Sequence, residues 1–257
     1  MGNAPAFFRM YPSKFRAGSA VLVQGATGGL GKEITKIYAG RGCPMVITGR
    51  NEDVLKALQK ECHDYFSNYN VHYIVADCTT EKDCQRVVDF MIEKCKRIDI
   101  LVLAAGVAAH VKFGDLPSID LVKKIMDTNF FSYVNLTRCA LPHLRHNNGQ
   151  IAVVNSISGL IPIPYRAAYC ASKYAVTGFF DTLQYEEAEN ITVSQFCPNS
   201  FNGSGFRKNS LTGPLPEKND PKVVPVDEAA LLFVAAVDRR IKKLIVPWQG
   251  YVTAYIH

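Results

Sequence analysis

No stretch of this chain approaches the ~20 consecutive apolar residues that a membrane-spanning helix needs, so a spanning segment is excluded. The first 18 residues lack the long apolar core of a signal peptide, and the position that would have to be Ser or Thr for myristoylation of Gly2 is Ala6. Both absences lead to the expectation of a soluble or peripheral protein. The eight cysteines (Cys43, Cys62, Cys78, Cys84, Cys95, Cys139, Cys170, Cys197) form no CxxC pair and have no histidine at ligand spacing. Neither a zinc site nor a disulfide framework is therefore expected, and no metal; the cysteines read as reduced thiols. Despite a net charge of +6, no run of basic residues is dense enough for a nucleic-acid arm, and the excess reads as a solvated surface with a mild pull on anions. There is no internal repeat and no low-complexity tract.

What is present suits one α/β domain. With 257 residues, 48% of them apolar and 20% charged, the chain can bury about three quarters of the surface its unfolded form exposes. A short apolar strand, Ala20 to Gln24, runs into Gly25-Ala26-Thr27-Gly28-Gly29-Leu30-Gly31 and then a helical stretch from Lys32 to Ala39. Glycines at 25, 29 and 31 let the backbone turn tightly and approach a pyrophosphate, which the positive end of the helix then holds. The second strand, Pro44 to Thr48, ends at Gly49-Arg50-Asn51, where a dinucleotide fold inspects the adenosine ribose. Arg50, with its planar fork, suits a 2′-phosphate and so NADP(H) over NAD(H), with Asn51 beside it.

A helix from Asn51 to about Tyr65 and a strand from Val71 to Ala76 lead to Asp77-Cys78, with Asp77 positioned for the adenine amine. After a helix from Glu81 to Cys95, the run Ile98 to Ala104 is apolar enough for a fully buried parallel strand. Ala104-Ala105-Gly106 lets the chain pass close to a cofactor. The alternation of strand and helix predicts a doubly wound parallel sheet of about seven strands, helices on both faces, in a single Rossmann-type domain.

A long helical region from Ser118 to about Leu144 carries Asn129 among Met126, Phe130 and Phe131, where it must be hydrogen-bonded; it is either a polar kink or the seat of an ordered water. Ser156 follows the fifth strand (Gln150 to Asn155), at the carboxyl end where open α/β sheets bind ligands. Thirteen residues later comes Tyr169-Cys170-Ala171-Ser172-Lys173. On a helix the tyrosine and lysine lie on one face a turn apart, close enough for the ammonium to favour the phenolate and make the pair a proton donor.

In this order and spacing the residues resemble the short-chain dehydrogenase/reductases, from Ser19 to about Pro247, with Pro198 after the sixth strand as a further match. The wording Asn-Phe-Phe-Ser-Tyr-Val-Asn-Leu-Thr around Asn129 and Ala-Ala-Tyr-Cys-Ala-Ser-Lys at the tyrosine is most like the 11-beta-hydroxysteroid dehydrogenase type 1 group. Residues Gly106 to Leu116 bear a lesser likeness to 3-ketodihydrosphingosine reductase. The resemblance implies hydride transfer between a nicotinamide and a carbonyl or secondary alcohol. Tyr169 would be general acid, Lys173 would bind the nicotinamide ribose, Ser156 would hold the carbonyl oxygen and Asn129 would seat a relay water. Cofactor contacts would come from the glycine turn (Gly25, Thr27, Gly28, Gly29, Leu30, Gly31), Arg50, Asn51, Asp77, Cys78, Ala104, Ala105, Gly106, Pro198, Ser200 and Phe201. Pairing through the helices around Asn129 and Tyr169 would make a homodimer or homotetramer. The chain departs from the family pattern at Gln24, usually threonine, at Leu103-Ala104, usually two asparagines, and at Gly28, often basic when NADPH is used. It also departs at Asn199 and Gly203, where glycine and threonine are usual, with Ser204 one step later.

Residues 1–18 read as an N-terminal extension to a domain spanning 19–257. Within it, residues 203–225, rich in Gly, Pro, Lys and Asn, read as a mobile lid over the substrate. Phe201, Phe206, Ile161, Ile163 and Tyr165 either line an apolar pocket for a steroid, lipid or aryl ketone or simply pack locally. A helix from Val226 to Lys243 and a last strand from Leu244 to Pro247 complete the sheet. Trp248, Tyr251, Val252, Tyr255 and Ile256, at helical spacing, suit a partner subunit or a membrane surface. Two other functions stand beside the ketone reductase: a 3-ketosphingoid-base reductase, and a nucleotide-sensing binding protein without turnover.

Overall fold

The computed structural model describes Phe8, residues 11–215 and residues 223–246; the aromatic stripe from Trp248 onward and the stretch 216–222 lie outside the described residues. Strand and helix alternate from the first element: β1 (Val21–Gln24), α1 (Gly29–Ala39), β2 (Met45–Gly49), α2 (Glu52–Phe66), β3 (Val71–Val75), α3 (Glu81–Cys95) and β4 (Ile100–Leu103). Then follow α4 (Ile119–Met126), a π-helical turn (Asp127–Phe131), α5 (Ser132–Asn147), β5 (Gln150–Val154), α6 (Ala167–Glu186) and β6 (Thr192–Pro198). Two short strands, β7 (Phe201–Asn202) and β8 (Val224–Pro225), flank the 203–223 segment, and α7 (Val226–Asp238) and β9 (Lys243–Val246) close the fold.

Seven strands pair in parallel in the order β3-β2-β1-β4-β5-β6-β9. The doubly wound sheet is thus the one the alternation predicts. Because successive strand residues point to opposite faces, each strand feeds two cores. Leu22, Val46, Leu101, Leu103, Ile151 and Val153 meet α3, α5 and α6 through Val87, Met91, Tyr133, Leu136 and Phe180. Val21, Val23, Ile47, Val102 and Ala152 meet α1, α2 and α7 through Ile34, Tyr38, Leu55 and Phe233. Each fully buried Val or Leu contributes about 1.5–3 kcal/mol, which makes the central strands the rigid base of the molecule.

The sheet reverses its winding between β1 and β4, so the loops at their carboxyl ends part and leave a crevice. One expectation is corrected here. The helix predicted from Val226 to Lys243 ends at Asp238: Arg239, Arg240 and Ile241 turn their amides back onto Ala236 and Val237, with Arg240 left-handed at φ 54°. The helical region predicted over Ser118 to about Leu144 is, by contrast, found from Ile119 to Asn147, with Asn129 in a π-helical turn within it. Across the molecule, Arg41 after α1 grips Asp238 at the end of α7 through two hydrogen bonds of 2.9 and 3.0 Å. Among the described residues no helix is long and apolar enough to cross a membrane.

Candidate active site

A cleft of about 460 Å³ runs along the carboxyl ends of the strands, from Arg50, Asp77 and Cys78 at one end to Ser156, Arg166 and Tyr169 at the other. Its floor is the glycine turn. Gly25 is left-handed at φ 80°, and a Cβ there would lie 2.4 Å from the Ala105 nitrogen; a Cβ on Gly31 would lie 2.3 Å from the Gly25 carbonyl oxygen. Only glycine lets these two loops touch.

The amino terminus of α1 has no side-chain cap and no acidic residue in its first turn. By contrast α2 and α3 are capped by Asn51 and Thr80 and carry acids there. The uncapped, uncompensated helix start is suited to an anion. Buried polar atoms of Gln24 (Oε1) and Thr48 (Oγ1), both in the cleft lining, have no protein partner, and Arg50 forms no ion pair among the described residues. These groups and the glycine cradle fit a dinucleotide.

All the cofactor-contact residues expected from the sequence line this cleft except Asn51. The Asn51 side chain accepts the Val54 amide at 3.1 Å as the cap of α2. Asp77 accepts the Thr79 amide at 3.1 Å and offers its own amide to Asp83 at 2.8 Å, which fixes the turn after β3.

At the other end, Tyr169 and Lys173 on α6 are both buried, and Ser156 joins them in the cleft lining. Burial holds the phenol above its ordinary value, while the neighbouring Ser156 hydroxyl and the Arg166 charge pull it back down. The expected acidification by a neighbouring cation is therefore outweighed by burial. Lys173 donates to the Val154 carbonyl at 2.9 Å, and burial lowers its ammonium to about 8. It lies 5.5 Å from the ring centre of Tyr133, whose hydroxyl donates to the Ala105 carbonyl at 2.6 Å. Tyr133 escaped the sequence reading, although it follows Asn129 by four residues.

Asn129 is fully buried and fully engaged. Its Oδ1 accepts the Val107 amide at 2.8 Å, and its Nδ2 donates to the Val107 carbonyl and to Ser172 Oγ, each at 3.0 Å. The side chain thus bolts the loop after β4 to α6. The side chain therefore sets the position of that loop against the helix.

Over the cleft, Phe206 meets the Tyr169 ring at 6.0 Å between centroids. The segment carrying it docks through Leu211 N to Ala108 O at 2.8 Å and His110 N to Thr212 Oγ1 at 2.9 Å. Nearer the turn, the Gly29 amide donates to the Ser204 carbonyl at 3.2 Å, and a Gly29 Cβ would lie 2.4 Å from Ser204 Cα. Of the aromatic and aliphatic residues expected in an apolar pocket, Phe201 and Phe206 reach the cleft lining, while Ile161, Ile163 and Tyr165 do not. A left-handed turn at Tyr165 (φ 64°) sends its ring onto His110 instead, 5.5 Å between centroids. Cys170 points its thiol at the Ile163 carbonyl, 4.0 Å away, and all eight cysteines are free.

A doubly wound sheet with a glycine cradle at its switch point, and a serine, tyrosine and lysine converging at the far end of one cleft, define a dinucleotide-binding fold with a proton-transfer site. The short chain dehydrogenase family model matches residues 19–213, and the chain belongs to that family of oxidoreductases. It is 33% identical over 240 residues to the hydroxysteroid 11-beta-dehydrogenase 1-like protein of Gallus gallus, covering 90% of this chain and 79% of that one. To 11-beta-hydroxysteroid dehydrogenase A of Sesamum indicum it is 32% identical, over 92% of this chain and 68% of that one. In structure it is similar to an alcohol dehydrogenase from Thermococcus sibiricus complexed with 5-hydroxy-NADP (TM-score 0.79, 20% identity, 89% and 95% of the two chains). A short chain dehydrogenase/reductase from Burkholderia phymatum in complex with NAD superposes with TM-score 0.82 at 18% identity, covering 93% and 92%. These last two likenesses speak to the fold.

Proposed function

We propose that the protein reduces a ketone, or oxidises the matching secondary alcohol, with NADP(H) as the hydride carrier. One observation carries this: the buried Tyr169 phenol and Ser156 share a cleft with the glycine cradle. When bound, a nicotinamide dinucleotide supplies or accepts the hydride. Tyr169 gives its proton to the carbonyl oxygen as negative charge develops there, and Ser156 donates a second hydrogen bond to the same oxygen. Lys173, held by the Val154 carbonyl, keeps a cation beneath the phenol and is poised for the ribose. Asn129, through Val107 and Ser172, holds the loop and helix at the spacing these donors need. The segment 203–225 serves as a lid that excludes water, with Phe206 laid on Tyr169.

The preference for NADP(H) rests on Arg50, which forms no ion pair among the described residues and stands at the cleft end where the adenosine ribose would lie. Substrate size follows from Phe206, Val107 and Leu211 in the lining and from the hydroxysteroid dehydrogenases among the relatives: a ring-bearing or lipid-like ketone. Residues Phe131 and Tyr174, 47% and 43% exposed on the helical layer around Asn129 and Tyr169, are the surface a homodimer would cover.

The test incubates purified protein with NADPH or NADH and a panel of steroid, aliphatic and aryl ketones, following loss of the reduced nicotinamide. Hydride transfer is expected, faster with NADPH. Cofactor binding without transfer to any ketone would leave a nucleotide-sensing protein as the better account. Changing Arg50 to Asp is expected to erase the NADPH preference, and an unchanged cofactor ratio would remove Arg50 from that role.

A further inference from the structure

Arg166 is a poor fit to a pocket for uncharged ketones alone. It caps the start of α6, three residues before Tyr169, so the two side chains share a helix face. Lys173 stands one turn the other way and reaches inward to Val154. Tyr169 is thus flanked by two cations, one facing the sheet and one at the open end of α6. The Arg166 guanidinium lies 5.8 Å from the Tyr169 ring centre and lines the cleft.

The backbone is bent to put it there. Tyr165, just before it, takes φ 64°, a left-handed conformation that strains a bulky L residue. That turn is held by the Tyr165 carbonyl accepting the Val111 amide at 2.8 Å and by the ring contact with His110.

Among the described residues no carboxylate balances Arg166: it forms no ion pair there, and the acid in the cleft lining, Asp77, stands at the opposite end, engaged with Thr79. Arg207, from the lid, lines the same cleft. His110 does not offset the charge either, since burial, then Arg166 and Arg207, lower it below its ordinary value and keep it neutral at physiological pH. A half-buried guanidinium beside the reacting hydroxyl, with apolar walls from Val107, Phe206 and Leu211, is built for a planar oxyanion.

We propose that the substrate carries an anionic oxygen group, a carboxylate, sulfate or phosphate, on the side of its carbonyl away from the nicotinamide, and that Arg166 binds it. This rests on the ketone-reductase reading above. It also disfavours a cationic aminoketone, such as a sphingoid base, whose ammonium Arg166 would repel.

The experiment uses acetophenones bearing, at the meta or para position, a propionate, its methyl ester or a 2-aminoethyl group, which leaves the ketone's electronics nearly constant. Expected kcat/KM falls in the order propionate, ester, ammonium, with the propionate ahead of the ester by about 10- to 100-fold. In Arg166→Gln that ratio should collapse toward one, and Arg166→Lys should restore part of it. Added salt should narrow the gap in the wild type.

Reduction of all three at similar rates would overturn the anion assignment and leave the ketone reductase standing. Reduction of none of them, nor of any ketone in the wider panel, would sink the reductase itself. If Arg166→Gln keeps the propionate-to-ester ratio and instead weakens NADPH binding for every substrate alike, the arginine serves the cofactor and the proposal is wrong.

Discussion

At the scale of single residues, burial decides more than charge. Tyr169 and Lys173 are both pushed toward their neutral forms, the phenol upward and the ammonium down to about 8. Replacing Tyr169 by Phe should lower turnover by about 100- to 10,000-fold while leaving cofactor affinity, measured by fluorescence titration, within a few-fold. Lys173 makes a separate prediction about stability. Its folded value lies below its ordinary 10.5, so between about pH 8 and 10.5 the unfolded chain binds more protons and stability rises with pH. Below pH 8 the buried charge is a standing cost, so Lys173→Met should be more stable by on the order of 1–3 kcal/mol there, with the gap closing by pH 10.5. Urea melts of both proteins across that range check it; a gap independent of pH would mean that burial does not depress the ammonium.

At the scale of elements, the lid and the glycine turn are one unit. Gly29 gives its amide to Ser204, and no side chain fits between them. Gly29→Ala should therefore lift the lid off the turn, read as faster proteolytic cutting within 203–225 and at least about a 10-fold fall in kcat/KM. Gly203 explains one departure from the family pattern: at φ 83° a β-branched threonine would be strained, so the chain here passes the turn with glycine and lets the Ser204 backbone make the contact.

Legibility in the sequence followed the reach of the interactions. The runs Val21–Gln24 and Ile100–Leu103, buried throughout, announced themselves by composition, and the glycine turn and the Tyr169–Lys173 spacing by local geometry. The partners of Asn129 did not, because Val107 and Ser172 are 22 and 43 residues away and no periodicity links them. The end of α7 was misjudged since a left-handed Arg240 stands where glycine usually marks the stop. Arg166 was within reach: the arithmetic that paired Tyr169 with Lys173 works equally three residues upstream.

At the scale of the whole molecule, the site is assembled from both halves of the sheet. The cradle, Arg50 and Asp77 come from β1 to β3, and Ser156, Tyr169 and Lys173 from the segments after β5. Only the joined sheet has a complete cleft, so loss of cofactor binding and global unfolding should coincide in a denaturant titration followed by both probes. Separate transitions would mean that the halves melt independently. The surface of α5 and α6 makes a further whole-molecule prediction: Phe131→Glu with Tyr174→Glu should give the monomer mass by light scattering if these residues seal a dimer, and an unchanged larger mass would place the interface elsewhere.

The grip of Arg41 on Asp238 joins residues 197 positions apart, across the first and last helices of the sheet's second core. A bond spanning such a loop can form only after nearly every strand between has taken its place. It therefore belongs to the late, downhill side of folding, and its loss should appear almost wholly as faster escape from the native state. Asp238→Ala should leave the refolding rate nearly unchanged and raise the unfolding rate by about 5- to 100-fold, corresponding to about 1–3 kcal/mol. The pair is then a latch on the lifetime of the folded enzyme, and the time a molecule keeps its cleft intact depends on two side chains that never touch it.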